Sequence, residues 1–387
     1  MELRSGSAKE AGMLPDRIDR ARDLCAGWVK SGHTPAIVTL VARRGVIVLH
    51  DAFGKLRPGG ESPLVQIDTV FPTMSITKPM VATLVMQLVE DGRLGLNRPI
   101  RDYMPEVTGK GTEEVLVHHV LTFTPGWDEF ALIMSFISER ADLADRSSAE
   151  VHRAMVDLIA RAPLSRPPGA QMDYAFLCYE LLKDLVERVS GRTFGELIHE
   201  RIFNPLGMRD SYVVVPESVR SRIVKRPPDA PWNQPMRPLM NPIDSRQSEE
   251  RNMVFSTARD IAIFGQTFLN GGTYAGARIL SRPAVMAMTR NQTPGIPVIR
   301  WPNIRKEASY GYGWFVRSHE KWKYWDGSLQ SYGEFHHQGA GGVLLWVDPR
   351  DEIVGVYFNV DLAQTPDLEP LWNADLFQNV ISSAVAD

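Results

Sequence analysis

The segments that predict β-strands lie near both ends of this 387-residue chain, and helical patterns occupy the region between them. Two runs of β-branched residues within 36–54 flank Arg43-Arg44-Gly45, a pattern typical of an antiparallel hairpin. The later strand-like segments are 310–317, 334–338, 343–347 and 353–360. A single sheet can collect all of these strands only if distant parts of the chain come together and the helical region is an insertion.

The predicted fold class is therefore α+β (mixed α/β): an antiparallel sheet flanked by N- and C-terminal helices, with an inserted, mostly helical domain. We assign residues 1–78 and 286–387 to the sheet domain and residues 79–285 to the helical domain, and we expect the active site in the cleft between them. The predicted helices are 14–29, 75–94, 149–161, 175–189, 193–202, 257–270 and 368–384. Residues 216–250 are rich in proline and lack periodicity, which predicts an irregular surface loop.

Charge and cysteine content exclude two classes of protein. The chain has 43 Lys and Arg against 46 Asp and Glu, a formal net charge of -3 and no basic block, so nucleic acid is not an expected partner. Cys25 and Cys178 both lie in predicted helices, and two thiols cannot form the disulfide framework of a small secreted protein. We predict that both are free thiols.

The hydropathy pattern predicts neither a signal peptide nor a membrane span. Residues 1–22 are rich in charged side chains, and the longest apolar stretch, 79–89, is interrupted by Thr83 and Gln87. That stretch is much shorter than the roughly 20 residues that cross a bilayer. We therefore expect a cytoplasmic protein with no membrane partner, while the sequence leaves its oligomeric state open.

Ser75 and Lys78 are the candidate nucleophile and base. They stand three residues apart at the start of a predicted apolar helix, so their side chains share a helical face. A serine hydroxyl needs a neighbour that removes its proton, and a lysine amine can do so if burial or nearby cations lower its pKa. The start of a helix also offers backbone N–H groups to a developing oxyanion.

The Ser-x-x-Lys spacing alone is a weak signal, because it should occur roughly once or twice by chance in a chain of this size. A second copy, Ser318 to Lys321, lies in a charged stretch with no apolar helix behind it, which favours a solvated hairpin connection. Spacing alone also leaves open a simpler interpretation, in which Ser75 caps the helix and Lys78 lies on the surface.

Two further motifs change this balance. Pro168-Gly169 precedes Tyr174 at the start of another predicted helix, and His337-Gln338-Gly339-Ala340 lies near the C-terminus. With Ser75-x-x-Lys78, and in this order, they resemble the serine β-lactamase fold, and within it the class C β-lactamase-like esterases, also called family VIII carboxylesterases. The resemblance extends over nearly the whole chain through the segments 204–208 (NPLGM), 255–260 (FSTARD) and 310–314 (YGYGW).

The resemblance implies a role for each matched residue. Ser75 would be the acylated nucleophile, and Lys78 would accept its proton, alone or with Tyr174. Tyr174 would donate a proton to the leaving alcohol and help to activate the deacylating water. The backbone N–H groups of Ser75 and Ala340 would form the oxyanion hole, and Gly339 would let the substrate approach closely.

Several positions depart from the penicillin-recognising relatives. Phe176 stands where they have an asparagine, and His337 stands where they have a lysine that would meet a substrate carboxylate. Phe123 and Pro125 stand where relatives usually show His and Ser. The departures at Phe176 and His337 favour an ester with an uncharged, apolar body, whereas those at Phe123 and Pro125 indicate that this segment lines the site differently. The residues assigned to substrate binding are His337, Gly339, Phe176, Phe123, Trp127 and Trp314, although tryptophans are more often ordinary core residues.

No metal or cofactor is predicted. His118-His119 and His336-His337 are adjacent pairs, and His199-Glu200 lacks the second histidine of a zinc motif. The sequence therefore predicts a serine hydrolase that cleaves short-chain or aryl carboxylic esters through an acyl-enzyme, with a small-molecule ester as its partner. An acyltransferase, or a β-lactam or amide hydrolase, with the same acyl-enzyme stays open, as does a catalytically inactive ligand-binding module.

Overall fold

The sheet is assembled from both ends of the chain. The computed structural model describes residues 1–57, 60–139, 146–174, 176–226, 253–298, 305–318, 327–360 and 373–387. The strands are β1 (Arg4–Ser5), β2 (Ala36–Arg43), β3 (Val46–Gly54), β4 (Phe71–Pro72), β5 (Phe255–Ser256), β6 (Thr273–Tyr274), β7 (Ala277–Arg278), β8 (Phe315–Val316), β9 (Phe335–Gly339), β10 (Val343–Asp348) and β11 (Ile353–Asn359). Seven of the described strands form one sheet in the order β1-β3-β2-β11-β10-β9-β8. The antiparallel pairing of β2 with β11 joins the N-terminal hairpin to the C-terminal strands.

Helices supply the second component of the fold. They are α1 (Pro15–Lys30), α2 (Thr77–Glu90), α3 (Val117–Leu121), α4 (Glu129–Glu139), α5 (Ser148–Arg161), α6 (Leu177–Ser190), α7 (Phe194–Ile198), α8 (Asn204–Leu206), α9 (Glu217–Arg220), α10 (Ala258–Leu269), α11 (Arg282–Thr289) and α12 (Ala374–Ser382). Local sequence sets several of the boundaries. Ser147 and Thr193 begin α5 and α7 with capping boxes, and α6 ends at Gly191 in the left-handed conformation.

Helices cover both faces of the sheet. Successive side chains of a strand point to opposite faces, and two neighbours on β10 show this. Trp346 contacts Phe377 of α12, with ring centroids 6.0 Å apart. Leu345 faces α10, where a Cβ placed on Gly265 would lie 2.9 Å from the leucine side chain. Because it is covered on both sides, β2 is buried along its whole length, and its sequence is apolar except at Thr39 and Arg43.

The predicted fold class is confirmed, with two corrections of detail. The sheet is mixed rather than purely antiparallel, because the short edge strand β1 pairs in parallel with β3. Helix α10 lies within 79–285, the range assigned to the inserted helical domain, yet it packs against β2, β10 and β11. Its apolar face is complementary to the sheet, and the helical periodicity in the sequence does not show which surface such a face will cover.

Two other predictions are only partly covered by the described residues. Of the predicted loop 216–250, the described part contains α9, and residues 227–250 lie outside the described residues. Of the predicted terminal helix 368–384, the described part forms α12. Of the predicted strand 310–317, only Phe315–Val316 forms a strand, β8. The preceding residues form a turn in which Tyr310 bridges to Phe315.

Cys25 and Cys178 are buried free thiols, as predicted. Within the described ranges, no helix combines the length and the apolar character needed to cross a bilayer. The cytoplasmic location stays a prediction from the sequence.

The fold places Ser75 between strands and helices. Ser75 lies in a 3₁₀ turn, Met74–Ile76, which follows β4 and leads directly into α2. The turn contacts β9 and β10 on one side, and α2 packs against α6 and α7 on the other. The first and last parts of the chain and the helical middle therefore all contribute to the surroundings of Ser75.

Candidate active site

The backbone before Ser75 is held in an unusual conformation. Met74 has a φ of +52°, in the left-handed region that residues other than glycine rarely adopt. Thr73 anchors the turn from one end, because its N–H and its hydroxyl both donate to the carbonyl of Val254, at 2.9 and 2.8 Å. Thr77 anchors the other end by accepting from the Val254 N–H at 3.2 Å. Such strain persists only where surrounding contacts fix it, and it is concentrated at functional sites.

Lys78 and Ser75 are in hydrogen-bond contact. The Lys78 Nζ lies 2.8 Å from the Ser75 Oγ, and Lys78 is only 8% exposed. Burial lowers the pKa of Lys78 to about 8, and the positive charge of Lys183 acts in the same direction, while the carboxylates of Glu180 and Glu129 oppose it. Lys78 is therefore not a surface lysine. Its amine can be neutral in a useful fraction of molecules near neutral pH and can take the serine proton.

Tyr174 completes a cluster of three side chains. Its hydroxyl interacts with the side chain of Ser75, and the Lys78 Nζ lies 5.1 Å from the centre of its ring. Burial raises the pKa of Tyr174, so the phenol is protonated and able to donate a proton. The structure thus brings together the three residues that the sequence predicted as catalytic, although Tyr174 is about a hundred positions away along the chain.

Phe123 supports Tyr174 from behind. Its ring centroid lies 4.6 Å from that of Tyr174 and 5.4 Å from that of Tyr310, and Phe123 is completely buried. The Phe123 carbonyl also accepts from the N–H of Asp173, at 2.9 Å, which ties the segment before Tyr174 to residue 123. Phe123 has a φ of +59°. These contacts give Phe123 a role in fixing the tyrosine, and its contact with substrate stays a prediction.

His337 is a neutral imidazole within this aromatic cluster. It is fully buried on β9, and its Nδ1–H donates to the carbonyl of Gln338 at 2.7 Å. Its Nε2 faces the Tyr310 hydroxyl at 3.4 Å. Burial holds the pKa of His337 well below its usual value, and the nearby Lys78 charge adds to this effect. The site therefore has no fixed positive charge at this position.

Gly339 and Ala340 meet the nucleophile turn. A Cβ placed on Gly339 would lie 2.5 Å from the carbonyl oxygen of Thr73 and 2.9 Å from the Cβ of Met74. The glycine is thus required by the approach of the protein's own backbone, whereas the sequence interpretation assigned that approach to the substrate. Ala340 follows directly and is half-buried, and its carbonyl accepts from Arg226 Nη2 at 3.0 Å.

The other predicted substrate-binding residues have different surroundings. Phe176 is half-buried and directly precedes α6. Trp127 is buried, and its indole N–H donates to the carbonyl of Ala162 at 3.1 Å. Trp314 is buried with its ring centroid 4.9 Å from that of Phe268 of α10. The two tryptophans are therefore core residues, because they are buried and contact interior groups such as the Ala162 carbonyl and the rings of Phe268 and Phe335.

Sequence reasoning missed three residues around the catalytic cluster. Glu129 is a buried carboxylic acid that contacts Cys178, and Arg226 lies over Gly341. Tyr310 was noted only as part of a family segment, yet it contacts His337. The signal for Glu129 was an acidic residue at the start of the otherwise apolar stretch of α4. No local pattern distinguishes Arg226 from a surface arginine.

The described residues contain no group of three or more His, Cys, Asp or Glu side chains placed to hold a metal ion. The chemistry available in the cluster is instead that of an activated serine. A hydroxyl, a buried amine and a protonated phenol are in contact, and they lie beside a strand end with backbone N–H groups.

Comparison with known proteins agrees with this geometry. Residues 20–376 match the model of the protein family described as Beta-lactamase. The chain belongs to the Beta-lactamase family. Among curated members, it is similar to Esterase EstB of Burkholderia gladioli, with 32% identity over 222 residues that cover 54% of each chain. The chain thus aligns with about half the length of that esterase. It is also similar to Penicillin-binding protein 4 of Amycolatopsis lactamdurans, with 27% identity over 76% of this chain and 72% of the relative.

Several solved structures share the fold. A family VIII carboxylesterase superposes with a TM-score of 0.71 at 23% identity, covering 94% of this chain and 97% of that chain. EstCE1, described as a hydrolase with promiscuous acyltransferase activity, gives a TM-score of 0.71 at 17% identity, covering 96% and 99%. At these identities the likeness establishes the fold, and the substrate has to be argued from the site.

Proposed function

We propose that this Beta-lactamase family protein is a carboxylesterase that cleaves short-chain or aryl esters through an acyl-enzyme on Ser75. The observation that carries the proposal is the 2.8 Å contact between Ser75 Oγ and a Lys78 amine whose pKa burial lowers to about 8. A buried amine of this kind is a base for the serine hydroxyl rather than a permanent cation.

The arrangement supports a two-step reaction. In acylation, Ser75 Oγ attacks the ester carbonyl carbon and its proton passes to Lys78 Nζ, while the backbone N–H groups of Ser75 and Ala340 receive the oxyanion. The bond to the leaving oxygen then breaks, Tyr174 protonates that oxygen, and the Lys78 proton restores the phenol. In deacylation, water attacks the acyl carbon and gives a proton back through the same groups, which releases the acid and free Ser75.

The site favours an uncharged ester over a β-lactam. Penicillin-type substrates carry a carboxylate, and the neutral His337 offers it no positive charge. Phe176 likewise lacks the amide group of the asparagine that the penicillin-recognising relatives have. The similarity to an esterase supports this choice, whereas the similarity to a penicillin-binding protein makes amide and β-lactam substrates the necessary comparison.

The nucleophile can be tested with a matched pair of serine variants. We expect Ser75→Ala to abolish hydrolysis of p-nitrophenyl butyrate, and a fluorophosphonate probe to label Ser75 in the wild type. Ser318→Ala, in the second Ser-x-x-Lys copy, should leave both readouts unchanged. Loss of activity in the Ser318 variant alone would show that the site is misassigned, and the lack of any adduct in the wild type would indicate an inactive binding module.

A comparison of substrates distinguishes ester hydrolysis from β-lactam hydrolysis and from acyl transfer. Nitrocefin and p-nitrophenyl butyrate should be compared side by side, and the ester reaction should be repeated with an added acceptor alcohol. We expect ester turnover to exceed lactam turnover by at least tenfold. Comparable lactam turnover would contradict the argument from His337 and Phe176, and a dominant ester product with the acceptor alcohol would identify an acyltransferase.

A further inference from the structure

Arg226 reaches the predicted oxyanion hole from a part of the chain that the reaction above does not use. The segment before it is held beside the approach to Ser75, because the N–H of Val224 donates to the carbonyl of Val70 at 3.0 Å. Val70 directly precedes β4, and β4 leads into the turn that carries the nucleophile. The Arg226 side chain is half-buried, and its Nη2 donates to the carbonyl of Ala340 at 3.0 Å.

Ala340 and Gly341 are the central residues of a tight turn. The N–H of Gly342 donates to the carbonyl of Gly339 at 3.3 Å and closes the turn, and Gly341 has a φ of +83°. A positive φ at the third position alone is the signature of a type II turn, in which the central peptide is flipped relative to the type I turn. The carbonyl of that central peptide belongs to Ala340. Among the described residues, Arg226 is its only hydrogen-bond donor.

The ends and the middle of this turn are fixed in different ways. At one end, Gly339 lies against the backbone of the nucleophile turn, and at the other the carbonyl of Gly342 accepts from the N–H of Asn359 at 2.8 Å. The middle is held by a side chain. The nearest atoms to a Cβ placed on Gly341 all belong to the Arg226 guanidinium and would overlap with that Cβ. The guanidinium therefore packs directly on the glycine backbone.

Building on the proposed function, we infer that Arg226 is a positioning residue that fixes the 339–342 turn and thereby holds the Ala340 N–H in place for the oxyanion. That N–H enters the turn from β9, and within the described ranges it donates to no other group. Three of the four turn residues are glycines, whose backbone has unusual freedom. Oxyanion-hole donors stabilise the transition state because they are in place before the charge develops. A charge-assisted hydrogen bond from a guanidinium is strong enough to hold such a turn.

The inference predicts a selective loss in Arg226→Ala. Single-turnover kinetics with p-nitrophenyl butyrate separate substrate binding from acylation of Ser75. We expect the acylation rate constant to fall about tenfold to a hundredfold, somewhat less than the loss of an oxyanion donor outright. The dissociation constant of the substrate should change by less than about threefold, because the turn acts on the oxyanion rather than on the bound ester.

A transition-state analogue gives a second readout. Phenylboronic acid forms a tetrahedral adduct with Ser75 Oγ, and one of its oxygens takes the place of the oxyanion. In Arg226→Ala its affinity should fall by a factor similar to that of the acylation rate constant. The pH at which acylation slows should stay where it is in the wild type, because Lys78 keeps its surroundings.

Two further variants of the same region serve as controls. Arg220→Ala removes a guanidinium of α9 that pairs with the exposed Glu217 at 2.9 Å, and it should leave acylation and boronic acid affinity unchanged. Arg226→Lys keeps the positive charge but lacks the planar group that packs on Gly341. It should slow acylation by about threefold or more, yet less than Arg226→Ala does, and it carries the test if the alanine variant does not fold.

A double-mutant cycle tests the contact itself. Gly341→Ala should slow acylation, because the methyl group displaces the guanidinium and the φ of +83° is strained for alanine. In the Arg226→Ala background the backbone strain is the same, but the space that the methyl group needs is open. The loss caused by Gly341→Ala should therefore be smaller there by about threefold or more.

Each outcome decides the matter. An Arg226→Ala variant, or Arg226→Lys if only that one folds, with wild-type acylation and boronic acid affinity would overturn the inference. So would an equal loss in Arg220→Ala, additive effects in the cycle with Gly341→Ala, or a loss confined to substrate binding. Failure of the wild type itself to be acylated at Ser75 would instead contradict the proposed function.

Discussion

Gly339 lies directly against the carbonyl of Thr73, so close that a Cβ on the glycine would stand 2.5 Å from the Thr73 oxygen. Thr73 holds the turn that carries Ser75, and Gly339 ends the strand that carries His337. The two parts of the candidate site, from opposite ends of the chain, are therefore in backbone contact. The absence of a side chain at residue 339 lets the nucleophile and the predicted oxyanion-hole donor of Ala340 come together.

Gly339→Ala should separate these two parts. The added methyl group meets backbone and buried side chains that have little room to move, so we expect a loss of stability of about 1–3 kcal/mol. We also expect ester hydrolysis to fall by roughly tenfold to a hundredfold, because small displacements of reacting groups are costly. Thermal unfolding and kcat/KM measure the two effects. Gly27→Ala, in helix α1 with no atom within 4 Å of the new methyl group, should leave activity unchanged. Full activity in Gly339→Ala would show that the contact is not needed.

Lys78→Met should inactivate the enzyme and stabilise the fold. Burial lowers the pKa of Lys78 from 10.5 to about 8, so below pH 8 the folded protein holds a charged amine that it disfavours. At pH 7 the variant should gain about 1–3 kcal/mol. The unfolded state binds more protons only between about pH 8 and 10.5, so the wild type recovers most of this difference as the pH rises through that window.

Urea unfolding at pH 7 and pH 10 tests this prediction, with a gain that should be clearly smaller at pH 10. Lys183→Met is the matched control. Lys183 is also buried, but it pairs with Glu180 at 2.9 Å, so its removal leaves a buried carboxylate without that cation and should destabilise the protein. A loss of stability in Lys78→Met would contradict the assignment of Lys78 as an unfavourably buried amine.

Tyr174→Phe should affect substrates according to their leaving groups. The phenol is proposed to protonate the leaving oxygen, a step that an alkyl alcohol needs far more than p-nitrophenol does. We expect a loss of about a hundredfold or more on an alkyl ester, and a smaller loss on the p-nitrophenyl ester of the same acid, when acylation is measured. Equal losses on both esters would indicate that Tyr174 acts on Lys78 or Ser75 rather than on the leaving group.

His337→Gln should leave the pH dependence of ester hydrolysis unchanged. Burial keeps the pKa of His337 well below its usual value, so the ring is neutral near neutral pH. Its protonation therefore cannot cause the fall in rate at acidic pH that we expect from protonation of Lys78. A pH profile of kcat/KM, measured beside that of the wild type, checks this expectation. If kcat/KM of the variant no longer fell at acidic pH, the titrating base would be His337 rather than Lys78.

The predicted residues differ in how far local sequence located them. Ser75 and Lys78 stand three residues apart, so local geometry made their contact possible, and the fold realised it by burying Lys78 against Ser75. Phe123 and Gly339 were selected as positions near the site, but their partners proved to be Tyr174 and the Thr73 carbonyl. Trp127 and Trp314 were selected by residue type, and their contacts make them core residues, because an aromatic side chain fits a core and a substrate pocket equally well.

The sequence by itself determined the strand-rich ends, the helical middle, the Ser75–Lys78 spacing and, through the resemblance of its motifs, the family. These features depend on short-range periodicity or on residues close together in the chain. Only the tertiary structure decided that Lys78 is buried beside Ser75, that Tyr174 lies next to both and that α10 covers the sheet. Burial and electrostatic interaction depend on which distant segments pack together, and no local pattern carries that information.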